Sequence, residues 1–196
     1  MPPNFRKLGV AQDYTQHTIR TKRLLLRRWL LTDREPLAKM NADPRVMEHF
    51  PAQLTREESD AQFDRIQQHF QEYGFGFWAI EIPEIAAFAG FIGLAIPRFE
   101  AHFTPCVEIG WRLAAEHWGH GYATEGASAV LEHGFRELGL QEIVSFTSKL
   151  NRRSQLVMER IGMRLSKEEE FDHPALPPGH RLTRHVLYRK KSTADN

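Results

Sequence analysis

The sequence predicts a single domain of mixed α/β class, in which a mixed sheet carries helices on both faces. A length of 196 residues suits one domain. The apolar periodicity gives the order β-α-α-β-β-β-α-β-α-β-β, a meander of strands followed by strands that alternate with helices. No repeat, low-complexity tract or Gly/Ser-rich linker divides the chain. We therefore expect a domain over residues 17–190, an N-terminal arm over 1–16 and a C-terminal tail over 191–196.

The first part of this pattern predicts one strand and two helical segments. Leu24–Trp29 is rich in leucine and is expected to form the strand. Thr32–Glu35 has the form of a capping box, which would open a short helix through Met40. Asp43-Pro44 is expected to begin a second short helical turn toward His49, because proline is tolerated early in a helix.

The remaining elements lie after residue 54. A second capping box, Thr55–Glu58, predicts a longer helix with four apolar or aromatic residues on one face: Phe63, Ile66, Phe70 and Tyr73. Three β-prone runs follow, separated by proline-containing turns: Phe77–Glu81, Phe88–Ile96 and Cys106–Leu113. A helix is expected from Tyr122, with Gly139 as its C-cap. The last predicted elements are a strand, a helix that stops at Gly162 and two strands: Ile143–Thr147, Asn151–Ile161, Met163–Phe171 and Leu182–Arg189.

Composition and charge argue against several classes of function. The formal net charge of +1 provides no global field for binding nucleic acid. No apolar run approaches the roughly 18 residues that cross a bilayer, so we expect no membrane span. A single cysteine, Cys106, excludes an internal disulfide and suits the reducing cytoplasm. The pair His117 and His120 lacks nearby cysteine or carboxylate partners, so no metal site is expected there.

The segment from Trp118 to Glu125 predicts an anion-binding loop. It joins a strand to the start of a helix, where unpaired N–H groups and the helix dipole favour a diphosphate. Gly119 and Gly121 would let phosphate oxygens approach the backbone, although the same glycines also suit a plain turn. A P-loop would need Lys and Ser/Thr after Gly121, and a dinucleotide fingerprint would need glycine in place of Thr124.

Several separated motifs carry a family resemblance. Glu-Ile-Gly-Trp-Arg-Leu at 108–113 is followed, after five residues, by Gly-His-Gly-Tyr-Ala-Thr-Glu at 119–125. Arg23-Leu24-x-Leu26-Arg27 precedes them, and Asn151-x-x-Ser154 with Ile161-Gly162-Met163 follows. In this order they resemble the GNAT superfamily of acetyl-CoA-dependent N-acetyltransferases, and more narrowly its Rim-type, ribosomal-protein N-acetyltransferase branch. The resemblance spans about Thr21 to Tyr188. It implies a mostly antiparallel twisted sheet that is splayed at two central parallel strands.

The resemblance implies acetyl-CoA as co-substrate. Its pantetheine would pair with the backbone of the strand over 108–113, and its diphosphate would lie on the predicted anion-binding loop. Asn151 is implied to contact it, and its position also predicts a helix N-cap. Trp118 stands where similar proteins more often carry Gln or Arg, which puts a side-chain contact to phosphate in doubt. The implied cofactor-binding residues are Trp111, Leu113, Trp118, Gly119, His120, Gly121, Tyr122, Ala123, Thr124 and Asn151.

Acetylation of an amine requires a base for the nucleophile and favours an acid for the leaving thiolate. Glu108 lies where similar proteins carry an acidic residue that faces the cleft, and we expect it to be the base; an ion pair with Arg112 is the structural alternative. Met158 occupies the position of the tyrosine that many similar proteins use as acid. Ser154, which shares a helix face with Met158, is the expected replacement. A packing role for Ser154, or departure of the thiolate without an acid, is equally compatible with the sequence.

The amine acceptor is the least defined part of the expectation. Similarity to Rim-type enzymes favours a peptide or protein amine. The alternatives are a small-molecule amine and, in a different class of function, a non-catalytic acyl-CoA-binding sensor. Dimers are common among similar proteins, so a homodimer is also expected from the resemblance.

Overall fold

Nine strands form one sheet in the computed structural model, which describes residues 18–193. The strands are β1 Ile19–Arg20, β2 Leu25–Arg27, β3 Phe77–Ile82, β4 Ala86–Ala95, β5 Glu108–Leu113, β6 Glu142–Ser148, β7 Arg164–Leu165, β8 Phe171–Asp172 and β9 Arg184–Lys191. Their spatial order is β1-β2-β3-β4-β5-β6-β9-β7, and β8 also pairs with β9. Among these strands, β5 and β6 form the parallel pair and the other pairings are antiparallel.

Helices cover both faces of this sheet, as the sequence predicted. They are α1 Arg34–Ala42, α2 Arg56–Tyr73, α3 Tyr122–Arg136 and α4 Arg152–Arg160. In α3, Gly134 lies against Leu94, which places α3 on that face of β4. The neighbouring residues along β4 point to the other face, where Phe91 packs on Trp29 and Trp29 packs on Phe63 of α2.

The longest helix begins where the sequence predicts. The Thr55 hydroxyl accepts from the Glu58 N–H at 3.2 Å, and the Glu58 carboxylate accepts from the Thr55 N–H at 2.8 Å. α2 ends at Gly74, whose φ of 76° is left-handed. Its inner face buries three apolar side chains, each worth about 1.5–3 kcal/mol when removed from water: Phe63, Ile66 and Phe70.

The predicted capping box at Thr32–Glu35 is wrong. A 3-10 turn over Leu31–Asp33 precedes α1, and the Asp33 carboxylate accepts from the Leu30 N–H at 2.8 Å. The same carboxylate also receives two hydrogen bonds from Arg27, at 2.8 and 2.9 Å. Asp33 therefore works as the buried partner of an arginine. After Asp43, residues 44–49 form hydrogen-bonded turns. The Met47 N–H donates to the Asp43 carbonyl at 3.0 Å, the i to i+4 spacing of the predicted short helical turn.

Two other predicted elements differ from the structure. α3 ends at Arg136, before the predicted cap at Gly139. The strand expected over Met163–Phe171 is divided into β7 and β8 by a 3-10 turn, Lys167–Glu169. Arg189 of β9 holds Glu169 of this turn with two hydrogen bonds, at 2.6 and 2.7 Å. This tertiary ion pair favours the turn over a continuous strand.

The termini mark the limit of the description. The expected arm, residues 1–16, lies outside the described residues, and so do residues 194–196 of the expected tail. β9 extends to Lys191, one residue beyond the expected end of the domain.

Candidate active site

The sheet opens at its parallel pair, and this opening positions the site. β5 and β6 are in register at Glu108 opposite Val144. The Val144 N–H donates to the Val107 carbonyl at 3.0 Å, and the Ser145 hydroxyl donates to the Ile109 carbonyl at 2.9 Å. Beyond this point β5 continues through Leu113 with no register partner on β6. A cavity of about 740 Å³ fills the gap and extends to both faces of the sheet.

The backbone of β5 leaves hydrogen-bonding groups in this gap. The Ala114 N–H donates to the Ala89 carbonyl at 3.0 Å, so even-numbered residues of β5 bond toward β4. The backbone groups of Trp111 and the Leu113 N–H consequently point toward β6, where no strand meets them, whereas the Leu113 carbonyl accepts from the Trp118 indole. Both residues line the cavity. The predicted pairing of an extended ligand with this strand edge is therefore geometrically available.

A loop and helix N-terminus form one end of the cavity. The first backbone hydrogen bond of α3 runs from the Glu125 N–H to the Gly121 carbonyl at 3.0 Å, which leaves the preceding N–H groups without helical partners. Gly119 and Gly121 have φ values of 80° and 81°, a conformation that side chains disfavour. A Cβ atom at Gly119 would meet nothing within 4 Å, so the loop surface is open. These residues fit a diphosphate.

An ion-pair clamp that the sequence reasoning missed holds this loop. Arg23 donates from Nε to Glu125 at 2.7 Å and from Nη1 to the His120 carbonyl at 2.9 Å. The Thr21 hydroxyl donates to the other Glu125 oxygen at 2.6 Å. Burial would raise the pKa of Glu125, but the hydrogen bonds from Thr21 and Arg23 outweigh it and lower the pKa. The signal lay in the sequence, because both Arg23 and Glu125 belong to the motifs that carry the resemblance.

Trp118 has its polar atom engaged within the protein. Its indole N–H donates to the Leu113 carbonyl at 2.9 Å, which ties the loop to the end of β5. The guanidinium carbon of Arg153 lies 4.6 Å from the centroid of the indole ring. Arg153 of α4 thus places a cation beside the loop, although Trp118 itself carries no charge.

The start of α4 brings Asn151 and Ser154 to the cavity. The Asn151 side chain caps the helix by accepting from the Ser154 N–H at 3.1 Å, which confirms the predicted N-cap. Both residues line the cavity, and Ser154 is half-buried. Met158 is only 1% exposed and packs in the main core. The position of the usual tyrosine is therefore a core position here.

Glu108 lies at the point where β5 and β6 separate. Its side chain is half-buried and lines the cavity. Burial raises the pKa of Glu108 to about 8, because the charged form loses water without gaining a cation. A carboxyl group with a pKa near neutrality can accept a proton from a nucleophile and later release it.

The predicted alternative, an ion pair between Glu108 and Arg112, does not form. Arg112 donates from Nη1 to the Asn41 side-chain oxygen at 2.5 Å. Its guanidinium lies 3.9 Å from the Phe50 ring centroid and 5.3 Å from that of Phe91. Burial lowers the pKa of Arg112 to about 10, so it remains charged at neutral pH.

The rest of the cavity, on the Glu108 face, is aromatic and histidine-rich. We call this part the acceptor half, and it is formed by Phe50, Phe77, Phe91, Phe146, His49, His173 and His185 together with Glu108 and Arg112. The pKa values of the three histidines are lowered by burial, that of His173 to about 4, so all three are neutral at pH 7. Sequence analysis did not identify this group of side chains, because they come from segments far apart in the chain.

Two loops meet above this half of the cavity. Glu48, between α1 and α2, accepts from Arg153 of α4 at 3.1 Å through its carboxylate. Its backbone carbonyl accepts from Arg181, in the segment between β8 and β9. The cavity is thereby bordered by three segments far apart in sequence.

Residues 18–193 contain neither a metal-binding cluster nor a membrane-spanning helix. No cluster of three or more His, Cys, Asp or Glu side chains is arranged to hold a metal ion in this part of the chain. None of the helices described is long and apolar enough to span a bilayer.

Comparison with known proteins decides the family. The family model described as Acetyltransferase (GNAT) domain matches residues 23–164. The chain belongs to the GNAT family. The GNAT fold binds acetyl-CoA, and the open strand edge and helix N-terminus described above fit that co-substrate. The chain is accordingly an acetyl-CoA-dependent N-acetyltransferase.

Individual GNAT relatives agree with this assignment. The chain is 32% identical to the uncharacterized N-acetyltransferase YnaD of Bacillus subtilis over 162 residues, which cover 83% of this chain and 89% of YnaD. It is 33% identical to the FsC-acetyl coenzyme A-N(2)-transacetylase of Aspergillus fumigatus over 179 residues, which cover 84% of this chain and 72% of that protein.

Among solved structures, the fold is similar to RimL, the ribosomal L7/L12 alpha-N-protein acetyltransferase, solved in complex with coenzyme A. The TM-score is 0.73 at 17% sequence identity, with 91% of this chain and all (100%) of that chain covered. This likeness shows that the chain shares its fold with a Rim-type enzyme, and it confirms the predicted GNAT-like mixed sheet.

Proposed function

We propose that this enzyme acetylates the primary amine of a peptide or protein, with Glu108 as general base and Ser154 as proton donor. When bound, acetyl-CoA supplies the acetyl group as an activated thioester. The observation that carries the proposal is the position of Glu108. Within residues 18–193, Glu108 is the one carboxylate that lines the cavity. It lies where the open edge of β5 meets the acceptor half.

Glu108 would take the proton that the amine must lose. An aliphatic amine is mostly protonated at neutral pH, so a nearby base raises the fraction that can attack. The pKa of Glu108, raised to about 8 by burial, lies between that of an ordinary carboxylate and that of the amine. Proton transfer from the amine is more favourable to a carboxylate whose pKa is close to that of the amine than to a carboxylate of ordinary pKa.

Ser154 would hold a proton for the leaving sulfur. Its hydroxyl lies on the cavity wall at the start of α4, one helical turn before the buried Met158. The adjacent Asn151 fixes the backbone of this turn through its cap. Tyr188 is a poor alternative donor, because burial and its hydrogen bond to Glu159 raise the pKa of its hydroxyl to about 12.

The remaining predicted cofactor contacts belong to the same proposal. The loop from Trp118 to Thr124 would hold the diphosphate, Trp111 and Leu113 would pair with pantetheine, and Asn151 would contact the co-substrate. We place the reaction in the cytoplasm, which the single cysteine supports. The expected homodimer stays a prediction.

The acceptor half supports an amine with a single positive charge. Four arginines and one carboxylate line the cavity as a whole, which disfavours polyamines and aminoglycosides because several cations would meet this field. A second candidate is a small-molecule amine. The name of the 33%-identical Aspergillus fumigatus relative, an N(2)-transacetylase for FsC, favours it.

The experiment is a thiol-release assay with acetyl-CoA and a panel of peptides and small amines, run on the wild type and Glu108→Gln. We expect Glu108→Gln to bind acetyl-CoA normally and to lose about 100-fold or more in kcat at pH 7, since a general base contributes 10²–10⁴-fold. Glu132→Gln, a surface position on α3 paired with Arg136, is the matched control and should keep full activity. A Glu108→Gln enzyme with unchanged kcat would exclude Glu108 as the base.

A further inference from the structure

Arg112 is a half-buried cation of the acceptor half without an anionic partner. Its contacts are a neutral amide, Asn41, and the faces of two phenyl rings. Within residues 18–193 no carboxylate forms an ion pair with it, and its Nε is buried without any hydrogen-bond partner. A buried charge of this kind is unfavourable until an anion meets it.

Asn41 cannot supply that charge, because its side chain is a neutral amide, and its hydrogen-bonding groups are already engaged. Its carbonyl oxygen accepts from Arg112. Its amide nitrogen donates to the Ser59 hydroxyl at 2.9 Å and to the Gln62 side-chain oxygen at 2.8 Å. Asn41 thus connects α1, α2 and β5, and it fixes the guanidinium in place while leaving other N–H donors of Arg112 free.

Arg112 lies on the same strand as the proposed base, Glu108. Glu108, Gly110 and Arg112 alternate along one face of β5, so Glu108 and Arg112 lie on the same side of the sheet. Their Cα atoms are roughly 13 Å apart at the usual rise of a strand. Gly110 places no side chain between them, and both residues line the same cavity.

A second unpaired polar atom lies in the same region. The Nδ1 of His49 is buried without a hydrogen-bond partner, and His49 directly precedes Phe50, whose ring lies over the Arg112 guanidinium. The pKa of His49 is lowered, chiefly by burial, so a neutral imidazole is present at pH 7. Two unsatisfied polar groups lining one cavity indicate a polar ligand group.

The other arginines that line the cavity do not substitute for Arg112. Arg45 is paired with Asp43 at 2.6 Å, and Arg153 is paired with Glu48 at 3.1 Å and lies over Trp118. Arg160 lies exposed on α4. Among these four arginines, Arg112 is the one on the Glu108 face of β5.

We propose that Arg112 binds a carboxylate of the acceptor, so that the substrate of this enzyme is an amine that carries a carboxylate group. The inference rests on the proposed function, because Glu108 receives the amine at the other end of the same face. A guanidinium with free N–H groups is suited to a planar carboxylate. The carboxylate can come from an amino acid, or from an acidic side chain next to the N-terminus of a peptide.

The test compares each acid with its neutral amide. One arm uses unbranched amino acids of increasing chain length and their carboxamides. The other uses peptides that differ in Asp or Asn at the second position. In the wild type we expect kcat/KM to favour the acid by about 10- to 100-fold, as for a hydrogen bond to a charged group. The arm that shows this preference identifies the source of the carboxylate.

Variants separate binding from a structural role of Arg112. In Arg112→Met the acid should lose its preference, while kcat/KM for the amide stays within about threefold of the wild-type value. Arg112→Lys keeps the charge and should keep part of the preference for the acid over the amide. This second variant keeps the test decisive if Arg112→Met does not fold. Arg45→Gln removes the same charge from an already paired cation and should keep the wild-type ratio.

Two outcomes would overturn the inference: a wild type that does not distinguish acid from amide, or an Arg112→Met variant that weakens both equally. Acceptor affinity in the presence of CoA, followed by tryptophan fluorescence, provides a readout without turnover. If no amine is acetylated but Arg112→Met still weakens binding of the acid alone, the proposed reaction fails and the carboxylate site stands.

Discussion

The two halves of the cavity present different kinds of chemical groups. The donor half offers main-chain N–H groups from the edge of β5 and from the start of α3, fixed by glycine conformations and by the Arg23–Glu125 clamp. The acceptor half offers side chains: phenyl rings, neutral histidines, one carboxylate and one unpaired guanidinium. Backbone recognition suits a co-substrate that a whole family shares. Side-chain recognition can change from one member to the next, so we expect the acceptor half to determine what is specific to this enzyme.

The largest expected effect comes from breaking the donor half at Gly121. Gly121→Glu would place a side chain at a φ of 81° and a negative charge where the diphosphate is expected. We expect the affinity for CoA to fall by more than about 100-fold, equivalent to about 3 kcal/mol. Calorimetric titration with CoA measures this directly.

Gly139→Glu is the matched control for that substitution. Gly139 also has a left-handed φ, of 64°, but it lies exposed after α3 and does not line the cavity. The backbone strain is similar, so this variant should lose about 1–2 kcal/mol of stability and bind CoA normally. Tight CoA binding by Gly121→Glu would contradict the assignment of the loop.

A smaller effect is expected at Ser154, which lines the cavity at the start of α4. Ser154→Ala should lower kcat about tenfold and leave the affinity for CoA unchanged, because a thiolate with a pKa near 8.5 already leaves readily without an acid. Ser154→Thr, which retains a hydroxyl, should restore most of the activity. Equal kcat values in the alanine variant and the wild type would leave Ser154 a packing role only.

The contrast between the halves also explains what the sequence could predict. The loop from Trp118 to Glu125 is one continuous segment whose function depends on glycines and a helix start, and these can be read locally. The Thr55–Glu58 capping box of α2 and the Asn151 cap are local in the same sense. The buried role of Asp33 depends on Arg27, and the turn over Lys167–Glu169 depends on Arg189. Those tertiary ion pairs overrode the local patterns.

Local sequence patterns could not predict which side chains form the acceptor half. Its side chains come from β3, β4, β5, β6, β9 and two loops, and nothing in the sequence indicates that Phe50 lies over Arg112. Sequence reasoning proposed Arg112 as an ion-pair partner of Glu108, four residues away on the same strand. The structure instead directs the guanidinium to Asn41 on α1.

The central claim is that Glu108 accepts the proton of the amine, and its pH dependence tests this most directly. Glu108 is active as the ionised base, so activity should be absent well below its pKa of about 8 and present above it. With an acceptor whose amine has a pKa of about 10.4, as in lysine, wild-type kcat/KM should rise with pH and level off near pH 8. In Glu108→Gln the lower rate should continue to rise until the amine itself is deprotonated. Profiles that bend at the same pH in both enzymes would contradict the account.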